Sequence, residues 1–222
     1  EKKTIIVEDR LAKKFVEKAL KIGGDGLFNS FDVQYCPGGA GSIYQNIALP
    51  LCIAKVKNVM FLLDGDQCLT DEFPTSNSIP EKEDVNLQET IKNIINQDIK
   101  FHCDGSKGIA NNKQKIKMQR EFIDFIHDKI AFLPVLTPEI FLIENTYGDY
   151  KAYKDSIPNE IIDSKQITME ICKLDTGEEN ITGDNIFETQ IRMLNKIPNN
   201  HDAFTKTREM LQIFLDSDTI RP

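Results

Sequence analysis

The stretch Asn58-Val-Met-Phe-Leu-Leu-Asp-Gly-Asp66 decides the fold of this chain of 222 residues. Its apolar run, residues 59–63, has the length of a typical β-strand and shows no polar alternation. A strand of this kind is buried on both faces, as in parallel sheets that helices cover on both sides. The stretch therefore predicts a central strand of an α/β sheet, which ends where Asp64 begins.

The segments that precede this strand alternate between strand and helix patterns. Residues 4–7 and 31–36 predict two further strands, because both are rich in β-branched and aromatic side chains. Residues 10–21 carry apolar side chains at helical spacing, and residues 42–54 predict a second helix that Pro50 bends or divides. The order β-α-β-α-β predicts an α/β, Rossmann-like parallel sheet flanked by helices.

Beyond residue 69 the alternation breaks. Residues 70–84 read as a polar loop, residues 85–99 and 113–129 as helices, and residues 104–108 as a turn between them. Strand character returns at residues 130–134, and helix patterns recur at residues 185–194 and 201–215. We therefore expect a core of residues 1–69 and 130–147, a helical insertion at 70–129 and a mainly helical C-terminal region at 148–222.

Charge and cysteine content exclude some classes of protein. The formal net charge of -8 disfavours a DNA-packaging role, which needs basic side chains to neutralise phosphates. It is compatible with a nuclease, because a carboxylate site adds negative charge that metal ions offset. Five cysteines without a C-x-x-C pair predict reduced thiols and a cytoplasmic protein. No apolar run approaches the ~20 residues that cross a bilayer.

Acidic side chains follow two of the predicted strands directly. Glu8 and Asp9 follow the first strand, and Asp64 and Asp66 follow the third. The carboxyl ends of parallel strands meet at one edge of a sheet, where ligands bind in α/β folds. Carboxylates suit Mg²⁺ or Mn²⁺, which keep water molecules free to meet substrate phosphates. A solvated Asp-Gly turn is the alternative interpretation of Asp64-Gly65-Asp66.

The order of these motifs resembles the Toprim domain of topoisomerases, bacterial primases, recombination proteins and certain nucleases. Within that group it is most similar to the overcoming-lysogenisation-defect (OLD) family of ATPase-linked nucleases. Ile5-Ile6-Val7-Glu8, Gly38-Gly39, Asp64-Gly65-Asp66, Leu133-Pro134 and Pro138-Glu139 carry the resemblance, which covers roughly residues 3–67 and 130–145.

The resemblance implies roles for individual residues. Glu8 would act in acid-base chemistry or metal binding, and Asp64 and Asp66 would bind one or two Mg²⁺ ions. The family often has glycine after the glutamate and a second acid four positions on, where this chain has Asp9 and Ala12. Asp9 and Glu139 are the candidates to complete a second metal site.

Other polar features leave two interpretations open. The run Gly38-Gly39-Ala40-Gly41-Ser42 is a tight turn with Ser42 as helix cap, or a loop that contacts a nucleic-acid backbone. Its sequence lacks the Gly-Lys-Ser/Thr end of a P-loop. The basic side chains between residues 113 and 120 form a solvated helix face or contact DNA phosphates. His102, His127 and His201 share no ligand spacing, which favours structural roles.

These features together predict a Mg²⁺-dependent endonuclease that acts on nucleic acid, with DNA favoured. The resemblance further implies a phage-defence protein with an ATPase module upstream, and it leaves an oligomeric assembly open. The chain starts at Glu1 inside a strand pattern, which fits a domain excised from such a longer protein. Two alternatives remain: a primase-like or topoisomerase-like use of the site, and a regulatory module that binds metal or a partner without turnover. A receiver-like phosphorylation domain is disfavoured, because it would place its acceptor aspartate alone at a middle strand and need a later lysine.

Overall fold

The structure, a computed structural model, describes residues 2–103, 109–146 and 163–221. Its described strands form one parallel sheet in the order β2-β1-β3-β4. The strands are β1 (Lys3–Val7), β2 (Phe31–Tyr35), β3 (Val59–Leu63) and β4 (Ile130–Phe132). This arrangement confirms the α/β parallel sheet that the alternating pattern predicts. The predicted turn at 104–108 and residues 147–162 lie outside the described residues.

Helices connect the strands and follow them. The chain forms α1 (Arg10–Ile22), α2 (Asp25–Asn29), α3 (Gly39–Ile43), α4 (Leu49–Ile53), α5 (Leu87–Ile95), α6 (Ile109–Lys129), α7 (Pro138–Thr146), α8 (Ser164–Thr176), α9 (Gly183–Lys196) and α10 (Asp202–Ser217). Among the described residues, no helix combines the length and the apolar character needed to cross a membrane.

Alternate side chains of the strands enter two separate cores, as the period of two in a strand requires. Ile5 and Met60 join the first core, while Ile6 and Phe61 join the second. Helices α1, α7, α8, α9 and α10 cover the first face, and helices α3 to α6 cover the second. The described parts of the predicted insertion and of the C-terminal region thus each contribute to the core on one face of the sheet.

The predicted helix at residues 42–54 is interrupted by a turn of π-helix, Tyr44–Ala48. Pro50 has no backbone N–H to donate to the carbonyl four residues earlier, so the regular helical ladder cannot run through this position. The preceding residue compensates: the Leu49 N–H bonds the Tyr44 carbonyl five residues back. The bend expected at Pro50 is therefore present as a π-helical turn just before it.

The strand order determines where a ligand can enter. From β1 the chain moves to β2 on one side, and then returns to place β3 on the other side of β1. The crevice at such a reversal, beyond the carboxyl ends of the strands, is the usual ligand site of open α/β sheets. Here the reversal lies between β1, which leads into Glu8, and β3, which leads into Asp64.

Candidate metal centre

Glu8 connects the ends of three strands. Its Oε1 accepts a hydrogen bond from the backbone N–H of Asp64 at 3.0 Å, which joins the end of β1 to the end of β3. The backbone N–H of Ala40, beyond β2, lies close enough to the carboxylate to lower its pKa. Burial has the larger effect and raises the pKa of Glu8, and the charges of Asp66 and Asp9 add to the rise.

The glycine-rich loop after β2 therefore faces a carboxylate of the protein itself, that of Glu8. Gly38 and Gly39 have φ values of 117° and 72°, which a side chain would strain, and α3 starts immediately at Gly39. The expectation that Ser42 caps this helix is wrong, because the cap position is Gly38 and makes no side-chain hydrogen bond. The Ala40 amide of this loop favours a negative group, and here Glu8 supplies it.

Asp64 is the most perturbed acid of the site. It is 9% exposed, and its Oδ1 is buried without a hydrogen-bond partner in the described part of the chain. Burial raises the pKa of Asp64 to about 8, and the neighbouring charges of Glu8, Asp9, Glu139 and Asp66 contribute to the rise. All five predicted acids thus lie within one electrostatic cluster.

Asp66 is held at the edge of the cluster by its backbone. The N–H of Gly65 donates to the carbonyl of Val135 at 3.0 Å, and that of Asp66 donates to Leu136 at 2.9 Å. The Asp66 side chain is exposed and accepts a hydrogen bond from the side chain of Gln67 at 3.0 Å. The segment after β4 therefore fixes the Asp64-Gly65-Asp66 turn, while the second carboxylate faces solvent.

Asp9 has a structural task beside its place in the cluster. It caps α1, and its Oδ1 accepts from the backbone N–H of Ala12 at 2.8 Å. Ala12 itself is fully buried in the first core. The position where the resembled family carries a second acid is thus apolar in this chain, and Asp9 supplies a carboxylate one residue after Glu8 instead.

Glu139 approaches the same cluster from the first turn of α7 and is 6% exposed. Burial raises its pKa most strongly, and the charge of Asp9 adds to the rise. Its own backbone N–H, the cation of Lys165 and the hydroxyl of Thr137 act in the opposite direction. The sequence indicated a short apolar segment near residues 140–143; its helical form is what turns Glu139 toward the strand ends.

The donor set suits a hard divalent cation. None of the five carboxylates forms a salt bridge with a described residue. The repulsion between them is therefore not offset by an ion pair with a described side chain. The unpartnered Asp64 Oδ1 is an oxygen that a metal ion would satisfy. The described residues contain no group of three or more His, Cys, Asp and Glu side chains already arranged to hold such an ion. The chemistry of the donors therefore fits, without a preformed three-ligand geometry.

Tyr44 is a neighbour that the sequence did not single out. Its side chain is fully buried on the π-helical turn, and its hydroxyl has no hydrogen-bond partner in the described part of the chain. Burial raises the pKa of this hydroxyl, and the charges of Glu8 and Cys68 raise it further. Only its position in the helix after the glycine-rich loop could have drawn attention to it.

We expect Tyr44→Phe to leave the metal-free protein as stable as before or to raise its free energy of unfolding by about 1 kcal/mol. A buried hydroxyl without a partner carries a desolvation cost that the phenylalanine ring avoids. Urea unfolding in EDTA measures the change, with the exposed Tyr35→Phe as the control. A loss above about 1 kcal/mol would mean that the Tyr44 hydroxyl bonds a partner in solution.

The basic segment of α6 is partly committed to the fold. Arg120 bonds Asp84 at 2.6 Å and the carbonyl of Ser76 at 2.6 Å, so it fastens the segment before α5 to α6. Lys113 and Lys117 remain exposed. Arg120 thus leaves the group of side chains that were candidates for phosphate contact.

His201 has the structural role that the sequence favoured. It caps α10, because its Nδ1 accepts from the backbone N–H of Ala203 at 3.2 Å. Its other ring nitrogen lies 3.1 Å from Asn145 Oδ1. This histidine therefore serves to join α10 to the end of α7.

In EDTA, the free energy of unfolding should fall as pH rises from about 4 to about 8. The folded pKa of Asp64 is raised to about 8 from 3.8, so the folded state keeps a proton that the unfolded state releases in this window. Each such proton contributes about 1.4 kcal/mol per pH unit. Glu8 and Glu139, whose pKa values are also raised, act in the same direction.

Urea unfolding at several pH values measures this slope. Asp64→Asn should reduce it, whereas Asp32→Asn, which alters an exposed carboxylate bonded to Gln34, should leave it unchanged. Asp218, whose pKa is lowered by Lys3, opposes the trend only at lower pH. Equal slopes for the protein and Asp64→Asn would contradict a raised pKa at Asp64.

Comparison of the chain with protein-family models, curated proteins and solved structures returns no match.

Proposed function

We propose that this chain is the catalytic domain of a Mg²⁺- or Mn²⁺-dependent endonuclease, with Glu8, Asp64 and Asp66 at its centre. The observation that carries the proposal is the buried Asp64 oxygen, which has no hydrogen-bond partner among the described residues and lies within an acidic cluster at the reversal point of a parallel sheet. Buried carboxylates of like charge without a salt bridge are costly unless a cation joins them. A site that retains this cost is a candidate for function.

The residues divide the work by their exposure. The Asp64 and Asp66 carboxylates would hold the cation, one from the buried side and one from the solvent side, and Asp9 and Glu139 would complete the ligand set. Such a cation polarises a phosphate and lowers the pKa of a bound water. Glu8 Oε1 is oriented by the Asp64 N–H, and its raised pKa suits it to accept a proton from the attacking water.

The resemblance to Toprim domains supplies the wider setting of the proposal. It favours DNA as substrate, an OLD-like phage-defence protein with an ATPase module as context, and the cytoplasm as location. The net charge of -8 supports dependence on a divalent cation, because phosphates approach an acidic surface only when its charge is offset.

Nicking of supercoiled plasmid tests the proposal directly. We expect conversion to the open circle in Mg²⁺ or Mn²⁺ and none in EDTA, with Glu8→Gln inactive and Asp32→Asn as active as the unchanged protein. Calorimetric titration with Mn²⁺ should show binding that Asp64→Asn removes. A protein that neither nicks DNA nor binds Mn²⁺ at this site contradicts the proposal.

A regulatory module that binds metal without turnover is the second candidate, and one observation favours it. Ala12, at the position of an acid in the resembled family, is fully buried, which leaves the second metal site without one of its usual ligands. Mn²⁺ binding that Asp64→Asn removes, combined with no cleavage of any nucleic acid, is the result expected for this role.

A further inference from the structure

A cavity of about 420 Å³ opens beside the acidic cluster, and most of its wall lies outside the proposed metal centre. Glu8, Asp9 and Glu139 line it on the side of the acids. The rest of its wall comes from the start of α1, the end of β2 and α9, and the residues that matter here are Arg10, Tyr35, Phe187 and Gln190. Its size is that of a small-molecule site, and it is continuous with the proposed catalytic carboxylates.

Two flat surfaces line this cavity. The guanidinium of Arg10 lies over the Phe187 ring, 4.0 Å from its centre. It also bonds the Asp184 carboxylate at 3.0 Å, so a ring contact and an ion pair together hold Arg10 in place. Tyr35, the last residue of β2, is 42% exposed, so its ring is accessible from the cavity. Aromatic rings and planar guanidinium groups are the surfaces on which proteins stack nucleic-acid bases.

Gln190 adds a polar group to the wall of the cavity. It is 7% exposed, and its side chain makes no hydrogen bond to any residue that the structure describes. Its amide lies in the wall of the cavity and is not used in a hydrogen bond with the described residues, so a ligand in the cavity can bond it. The amide offers two donors and one acceptor, which matches the edges of the bases.

We propose that this cavity binds one unpaired base of the strand whose phosphate meets the acidic cluster. The substrate would then be a single-stranded or locally unpaired nucleic acid, and this inference rests on the proposed nuclease function. A base inside a duplex is already stacked and paired, and it reaches such a cavity only when it is unstacked. The aromatic rings and Arg10 accept the face of the base, while Gln190 bonds its edge.

Binding is tested with a short single-stranded oligodeoxynucleotide and with its blunt duplex, both in Ca²⁺, followed by fluorescence anisotropy. We expect tighter binding of the single strand. Phe187→Ala and Tyr35→Ala should each weaken that binding about tenfold, the usual loss for one stacking contact. Phe187→Tyr, which keeps a ring, should retain most of the affinity.

Gln190→Leu separates binding from folding. It should leave the melting temperature close to that of the unchanged protein, because the amide makes no hydrogen bond to a described residue, and it should weaken binding of the single strand severalfold. A merely structural glutamine would lower the melting temperature when replaced and would leave binding unchanged once the variant is folded.

Two outcomes overturn the inference: equal affinity for single strand and duplex, or unchanged binding of the single strand by Phe187→Ala and Tyr35→Ala. If metal-dependent nicking of plasmid persists in that case, the nuclease stands and the base site fails. If the variants lose single-strand binding while no substrate is ever cut, the base site stands and the proposed catalysis fails.

Discussion

Asp64→Asn should lower metal-dependent cleavage by at least about 1000-fold while the protein stays folded. The substitution keeps the size of the side chain but removes the negative charge that would hold the cation. A catalytic metal contributes several kcal/mol to the transition state, and each 1.4 kcal/mol corresponds to a factor of ten in rate. Plasmid nicking in Mg²⁺ measures the loss.

The same substitution should change stability in the opposite direction. At pH 8 in EDTA, Asp64→Asn removes a buried charge whose pKa is raised by burial and by four neighbouring acids. We expect its free energy of unfolding to rise by about 1 kcal/mol or more, since one unit of pKa shift corresponds to about 1.4 kcal/mol. Loss of activity with a gain in stability is the pattern of a functional site that is costly to the fold.

Asp32→Asn is the matched control, because it makes the same chemical change near the opposite end of β2. Its carboxylate is exposed and bonds only the side chain of Gln34 among the described residues. Both activity and stability should stay close to those of the unchanged protein. If Asp64→Asn cleaves at the control's rate, the assignment of Asp64 to the metal centre is wrong.

The sheet and the position of the acids could be predicted because each depends on local sequence. The apolar run before Asp64 has no polar alternation, and the structure buries every one of its five residues. Glu8 follows a strand of the same kind, and parallel pairing of β1 with β3 brings the two acids together. The hydrogen bond from the Asp64 N–H to Glu8 is the outcome of that pairing.

Features that depend on contacts between distant segments could not be predicted. The backbone amide of Ala40, in the glycine-rich loop, acts on Glu8 because β2 pairs with β1. The local sequence does not reveal that pairing. Gln190 reads in the sequence as an ordinary polar residue of a helix, and its burial follows from the packing of α9 over α1. In the sequence Arg120 reads as a surface cation. In the structure it bonds the Ser76 carbonyl, because the segment around Ser76 packs against α6.

Glu139 combines both situations. Glu139 became a candidate because Pro138-Glu139 follows the strand pattern at residues 130–134, as the resemblance implies. Its proximity to Asp9 and Asp64 depends on the path of the chain after β4, where the carbonyls of Val135 and Leu136 bind the turn at Gly65. The resemblance to a family suggested Glu139 as a metal ligand, and the packing of the segment after β4 explains why Glu139 lies near the other acids.

Gly65→Ala is the second substitution with a large expected effect, and here the fold itself should suffer. A Cβ at this position would lie 2.3 Å from the carbonyl oxygen of Val135 and 2.8 Å from that of Leu133. Both atoms belong to the backbone and cannot rotate away. We expect a loss of about 1–3 kcal/mol in the free energy of unfolding, the usual range for a forced shift in a packed region.

The shift should also reach the metal centre, because Gly65 joins the two aspartates. If the turn moves away from the carbonyl of Val135, the hydrogen bond from the Gly65 N–H weakens and the two carboxylates no longer keep their relative positions. We therefore expect cleavage to fall even at temperatures where the variant is fully folded. Urea unfolding and plasmid nicking below the melting transition measure the two effects separately.

Gly26→Ala is the control for a glycine without such contacts. A Cβ at Gly26 would meet no atom within 4 Å, and the residue lies in α2, so alanine should preserve or slightly raise stability. A Gly65→Ala protein as stable as this control would show that the segment after β4 does not press against the turn in solution. If Gly65→Ala is less stable but cleaves at the full rate, the reaction does not depend on the relative position of the Asp64 and Asp66 carboxylates. That result would contradict a catalytic role for the turn.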